Sequence, residues 1–184
     1  MKIYKIFLLF LFISSFFFSA QSSQKILLDK LFDQLKKVDD FKTAQILEKK
    51  IWSVWHRHPS NNGLTEKLEF GAELMEYGSY DYALKVFDNV LVTDPKWSEA
   101  WNKRATVYFL MKKYTKSLDD IDKVLEIESR HFGALSGQAR IFIKLQEYEK
   151  AIVSLEKALK FYPLFKSGKL LIPEIERLIK EESI

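Results

Sequence analysis

The chain contains no cysteine, which removes disulfides, thiolate metal sites and a lipid-bearing cysteine from consideration. Glycine and proline are scarce, six and four in 184 residues, and most stand between apolar-patterned stretches, which leaves those stretches free to be helical. There is little excess of either charge: 29 Lys and Arg face 25 Asp and Glu, with the signs interspersed. Nucleic-acid binding needs clustered basic charge and is not expected. The motifs G-x-S-x-G, H-E-x-x-H, the P-loop and the dinucleotide fingerprint are all missing, so neither an enzyme nor a bound cofactor is expected. The single long apolar run, Ile6 to Phe18, follows Lys2 and Lys5 and is shorter than the ~20 residues of a bilayer span. It reads as the apolar core of a secretory leader, with Ala20-Gln21-Ser22 as a small-x-small cleavage pattern. Residues 1–22 are therefore expected to be a signal peptide. The mature chain is expected to be exported, periplasmic or secreted, without membrane attachment once cleaved; an uncleaved leader would tether it. Without Lys2 and Lys5 the balance is 27 basic against 25 acidic residues, a net charge of about +2, which argues against an electrostatic partner such as nucleic acid.

What the chain does have is an internal echo. Tyr80, Tyr114 and Tyr148 stand 34 residues apart, and three other sets keep the same step: Gly71, Ala105 and Ala139; Ala83, Ser117 and Ala151; Pro95, Ser129 and Pro163. A period of 34 with small residues in one lane and aromatics in another is the mark of stacked helix–turn–helix units. The small lanes belong where two helices cross closely, and a large side chain there costs ~1–3 kcal/mol of overpacking. Apolar residues at helical spacing support this: Leu64, Leu68, Leu74 and Met75 in one helix, Tyr80, Ala83, Phe87 and Val90 in the next, closed by Asp94-Pro95.

Trp101, Ala105, Tyr108, Ser117 and Ile121, with Gly71, Ala83, Phe87 and Pro95, resemble the tetratricopeptide repeat (TPR) pattern of W-x2-L-G-x2-Y, A-x3-F and a closing proline. The chain resembles small exported bacterial proteins of that family, with the match running from Leu64 to Phe165. Arg104 and Gln138 depart from it where an apolar residue is usual, and Ser129 replaces the closing proline. The expected fold is all-α, an antiparallel helix-pair solenoid. Its expected parts are a degenerate amino-terminal hairpin and linker over 23–63, repeats at 64–97, 98–131 and 132–165, and a capping helix over 166–184. The hairpin is expected to cover the open end of the stack, because terminal units of a solenoid meet solvent on one face. Pro173 suits the first turn of the capping helix.

The resemblance also implies where a partner would bind. In that family the first helix of each pair lines a concave groove, here at Thr65, Leu68, Ala72 and Met75; Glu99, Asn102, Thr106 and Phe109; Gly133, Ser136, Arg140 and Ile143. Leu68, Met75, Phe109 and Ile143 would form an apolar strip for a helix or extended peptide, flanked by Glu69, Glu76, Lys103, Arg140 and Lys144. The expected function is a non-catalytic scaffold that binds a protein or peptide partner. The alternative is self-assembly, in which these apolar residues meet copies of the same chain. Family members that grip chaperone tails use a Lys/Asn/Arg clamp; the matching positions are Leu68, Ala72, Lys103, Gly133 and Gly137, with one basic residue and no Asn, so a chaperone-tail adaptor is not expected. His56 and His58 stand two apart without a neighbouring acid, the wrong spacing for one helix face, so no metal is expected. His131 reads as a packed turn residue, and Asp119, Asp120 and Asp122 as a solvated helix face.

Overall fold

The computed structural model describes residues 21–182, so the expected leader falls almost wholly outside the described residues. Residues 21–35 are helical (α1). There follow α2 (Phe41–His56), α3 (Asn62–Glu76), α4 (Tyr80–Thr93), α5 (Ser98–Leu110), α6 (Tyr114–Ile127), α7 (Phe132–Lys144), α8 (Tyr148–Phe161) and α9 (Lys166–Glu182). No strand occurs among the described residues. The molecule is an all-α helix-pair solenoid: α3–α4, α5–α6 and α7–α8 are antiparallel pairs, and α9 packs on α8.

The 34-residue lanes set the pair geometry. A Cβ on Gly71 would come 2.5 Å from the Phe87 ring, so this crossing admits only glycine. Ala105 and Ala139 hold the same lane, and Ala83 and Ala151 the opposing one, all buried. Ser117 is tolerated there because its hydroxyl donates to the Ala105 carbonyl across the pair at 2.7 Å. Each pair turns through a left-handed residue, Gly78, Lys112 or Gln146, again 34 apart. The next N–H then closes on the first helix, from Ser79, Lys113 and Glu147 to the carbonyls of Leu74, Tyr108 and Phe142, each at 2.8 Å.

Two local expectations need correction. Asp120 is not on a solvated face: it is 3% exposed and takes a two-pronged hydrogen bond from Arg104 at 2.7 and 2.8 Å, while Asp119 and Asp122 are exposed. Arg104 also reaches Asp88 on α4 at 2.7 Å, so the polar departure from the family pattern ties two repeats together. The hydrogen bonds that Arg104 donates to Asp120 raise its guanidinium further above its ordinary value. Pro173 lies inside α9 rather than in its first turn.

The largest difference concerns the hairpin. It does not sit on the open end beside α3. Its apolar stripes, Leu28, Leu31 and Leu35 on α1 with Ala44, Leu47, Ile51 and Trp55 on α2, pack against Phe132, Leu135, Ala158, Tyr162 and Phe165 of the third repeat. α2 thus runs back along the solenoid. Phe41 lies under Lys169, Glu48 accepts from the Tyr162 hydroxyl at 3.0 Å, Trp55 stacks on His131, and His58 just beyond meets Asp94. Leu35 and Ile51 are fully buried, each contributing about 1.5–3 kcal/mol by removal from water. Gln24 ties the two helices by donating to the Val54 and Arg57 carbonyls at the end of α2.

Candidate functional site

The turns between repeats supply the surface that receives α2. Trp97, His131 and Phe165 are each 34 apart and buried. The Trp97 indole N–H donates to the Trp55 carbonyl at 2.9 Å. His131 caps α7: its Nδ1 accepts the Ala134 N–H at 3.1 Å. The proton therefore sits on Nε2, which donates to Glu99 Oε2 at 3.2 Å. The ring stacks on Trp55 at 4.0 Å and 10°, with Trp52 edge-on at 5.4 Å. Glu99 is fully buried; it also takes a hydrogen bond from Asn102 at 3.0 Å and faces Lys103 Nζ at 3.4 Å. Burial alone would push its carboxyl up, but the His131 hydrogen bond and the Lys103 charge hold it below the ordinary value.

This packing covers the first row of the expected groove. Thr65 is buried, its hydroxyl accepting the His58 N–H at 3.0 Å. Gly133 is so close under Trp52 that a Cβ there would stand 2.4 Å from the ring. What remains is a cleft of about 520 Å³ between α5 and α7, with α2 as one wall. Asn102, Lys103, Thr106 and Phe109 from α5 line it, together with Ser136, Gly137 and Arg140 from α7 and Glu48 and Trp52 from α2. Phe109 and Trp52 are partly buried and Arg140 is exposed, which gives the cleft apolar surface and an available cation.

Of the residues expected to form the groove, Asn102, Lys103, Thr106, Phe109 and Arg140 converge on this cleft. Glu69, Ala72, Met75 and Glu76 on α3, and Ile143 and Lys144 at the end of α7, lie outside its lining. Leu68 is corrected outright. It is 0% exposed in the core of the first repeat with Ala83 and Phe87, so no partner can reach it. Glu69 instead faces His56 at 3.4 Å. Glu48, Trp52 and Leu110 were missed. The signal for Trp52 was the 34-residue echo of Trp97, His131 and Phe165, an aromatic lane at the repeat junctions that needs a covering element.

A larger opening, about 630 Å³, lies between α1 and the turns around Asp94 and Glu128. Most of its charges are already paired: Asp29 with Lys25 and Arg130, Arg130 with Glu128, Asp94 with His58 and Glu126 with Lys123. His56 and His58 do not converge, since His58 donates to Asp94 at 2.8 Å while His56 faces Glu69. Among the described residues no cluster of His, Asp and Glu is placed to hold a metal ion, and no helix is long and apolar enough to cross a membrane.

Comparison with known proteins agrees with this architecture. The family described as anaphase-promoting complex, cyclosome, subunit 3 matches residues 76–158. A TPR repeat-containing protein of Rhizobium etli is 36% identical over 104 residues, 56% of this chain and 50% of that protein. The chain thus spans about half the length of this curated relative. Among solved structures, the first TPR domain of human RPAP3 superposes with a TM-score of 0.61 at 21% identity, over 65% of this chain and 94% of that one. The Yersinia enterocolitica type III secretion chaperone SycD, in complex with a peptide of the translocator YopD, gives 0.60 at 18% identity, over 70% of this chain and 100% of that one.

Proposed function

Since the chain is a tetratricopeptide-repeat protein, we propose that it is a non-catalytic scaffold of the cell envelope that binds a peptide or helix of a partner protein in the cleft between α5 and α7. The observation that carries this reading is the convergence of Phe109, Thr106, Asn102 and Arg140 around one open cleft walled by Trp52. Such a cleft offers an apolar anchor, amide and hydroxyl groups for a backbone, and a cation at its edge. Arg140 favours ligands with an acidic residue beside an apolar one. SycD, which shares the fold, was solved with a peptide bound, a parallel that supports a peptide ligand here. The two-carboxylate clamp does not fit: Lys103 is engaged with buried Glu99, and Gly133 lies beneath Trp52. The envelope location rests on the leader pattern of residues 1–22.

Peptides selected from a displayed library on the full chain test the assignment. Phe109→Ala combined with Arg140→Glu should weaken capture by about 100-fold, through loss of an aromatic anchor and reversal of a charge, with helicity unchanged. Undiminished capture by that double variant would place the binding site elsewhere. Detection of residues 1–22 in the exported protein by mass spectrometry would contradict cleavage of the leader.

A further inference from the structure

The charge of the chain is not evenly shared. Residues 23–58 hold eight basic and five acidic side chains, while residues 59–184 hold 19 and 20. The helix period concentrates the excess further. Ala44, Leu47, Ile51 and Trp55 turn one face of α2 into the core. The opposite face carries Lys42, Ile46, Lys49, Lys50 and Ser53, all exposed. No carboxylate is exposed on α2: its one acid, Glu48, is half-buried and accepts from the Tyr162 hydroxyl. Lys42, Lys49 and Lys50 form no ion pair among the described residues.

On α1 the face turned away from the core holds Ile26, Lys30 and Lys37, with Asp33 as the acid among them. The other exposed acids of the hairpin, Asp39 and Asp40, lie in its turn, and Asp40 is occupied in capping α2. From the neighbouring elements, Lys169 of α9 reaches Phe41 at one end of α2, and Glu69 of α3 faces His56 at the other. Between those ends the outward face of α2 is interrupted by an aliphatic side chain and by no acid; Ile46 is 47% exposed, and Ile26 on α1 66%. None of these lysines lines either cavity described above, so the face offers positive charge without a pocket.

We propose that the outward face of the hairpin, centred on Lys42, Ile46, Lys49 and Lys50, rests on an anionic lipid surface. Lysine ammonium groups among the headgroups, with aliphatic side chains just beneath them, are how an amphipathic helix lies in a bilayer interface. The long lysine stems keep the charge in water while the isoleucine is buried. The place of the hairpin in the chain favours a membrane over an acidic protein. Residues 19 and 20 alone separate the apolar run Ile6–Phe18 from α1, and two residues reach about 7 Å at most. Any bilayer that the expected leader enters thus has the hairpin, ahead of every repeat, at its surface. No helix among the described residues is long and apolar enough to cross a membrane, so the contact is peripheral and does not need the leader to be retained. The cleft between α5 and α7 lies on another side of α2, that of Glu48 and Trp52, and stays open.

The test uses the exported chain as purified, so that whatever remains of residues 1–22 is common to every variant. The probes are vesicles of phosphatidylglycerol and phosphatidylcholine in equal parts, vesicles of phosphatidylcholine alone, and soluble polyglutamate. The chain should sediment with the anionic vesicles more than with the neutral ones, and about 0.5 M salt should remove that excess. Lys42→Glu, Lys49→Glu and Lys50→Glu together should weaken binding to the anionic vesicles by about 100-fold, and Ile46→Ser by about threefold or more. Lys85→Glu, Lys157→Glu and Lys160→Glu together make the same change in net charge on other exposed positions. That variant should bind within about twofold of the unaltered chain, because charges beyond a Debye length are screened. The salt release of the unaltered chain reads the same attraction without any substitution, and so stands even if a variant is unstable. No excess on the anionic vesicles, an excess indifferent to salt, or equal losses from the two triple variants would overturn the proposal. So would tighter binding to polyglutamate than to the anionic vesicles, since it would make an acidic protein the occupant.

Discussion

Two histidine–carboxylate pairs, His131–Glu99 and His58–Asp94, use the same chemistry at successive repeat junctions and to different effect. In both, the ring accepts a backbone N–H at Nδ1, from Ala134 for His131 and from Ser60 and Asn61 for His58. In both, Nε2 donates to a carboxylate, at 3.2 and 2.8 Å. The difference is burial: the Glu99 side chain is 1% exposed and that of Asp94 26%. The buried pair lies under Trp52 and Trp55 and joins three units, the hairpin and two repeats. The other fixes only the linker to α3. Identical bonds thus carry different penalties for being broken, because water can replace a lost partner at Asp94 and not at Glu99.

His131→Leu should therefore have the larger effect. It leaves the Glu99 charge buried with Lys103 as its remaining cation and removes the ring on which Trp55 stacks; urea denaturation should show a loss of about 3 kcal/mol or more. His58→Leu exposes Asp94 to solvent instead, and a loss of about 1–2 kcal/mol is expected. Equal losses from the two would mean that burial is not what separates the junctions.

Acid should separate them more finely. Both carboxyls are held below their ordinary values, Asp94 chiefly by the His58 hydrogen bond and Glu99 against its own desolvation by His131 and Lys103. The unfolded chain then takes up protons first. The stability each group adds is complete above its ordinary value, 3.8 for Asp94 and 4.5 for Glu99, and is lost as pH falls through the lower folded value. Glu99→Gln should lower stability at neutral pH and flatten the acid limb from about 4.5 downward. Asp94→Asn should flatten it less and only at lower pH. Thermal melts of the three proteins from neutral to acid pH give the comparison.

Much of the solenoid could be read from the chain because repetition turns a weak local signal into a register. Tyr80, Tyr114 and Tyr148 begin the second helices, and the small lanes fall at the crossings, as spacing alone implies. The hairpin's place could not be read in that way. It lies outside the repeated register, and its contacts span long separations, such as Glu48 with Tyr162 and Asp29 with Arg130. Leu68 was misplaced because a groove position carried from a family average cannot tell a surface leucine from one turned into the core with Phe87. Asp120 was misread because its partner, Arg104, stands sixteen residues back on another helix.

If α2 forms one wall of the proposed peptide cleft, the indole N–H signals of the four tryptophans report on it directly. Trp52 lines the cleft, Trp97 donates to Trp55 on the far side of α2, and the Trp101 indole is held by the Pro95 carbonyl with Arg104 over its ring. Titrating a peptide selected on the full chain should move the Trp52 signal saturably, with an affinity that Phe109→Ala weakens, and leave Trp101 in place. A titration that moves Trp101 and leaves Trp52 still would contradict a peptide cleft walled by α2.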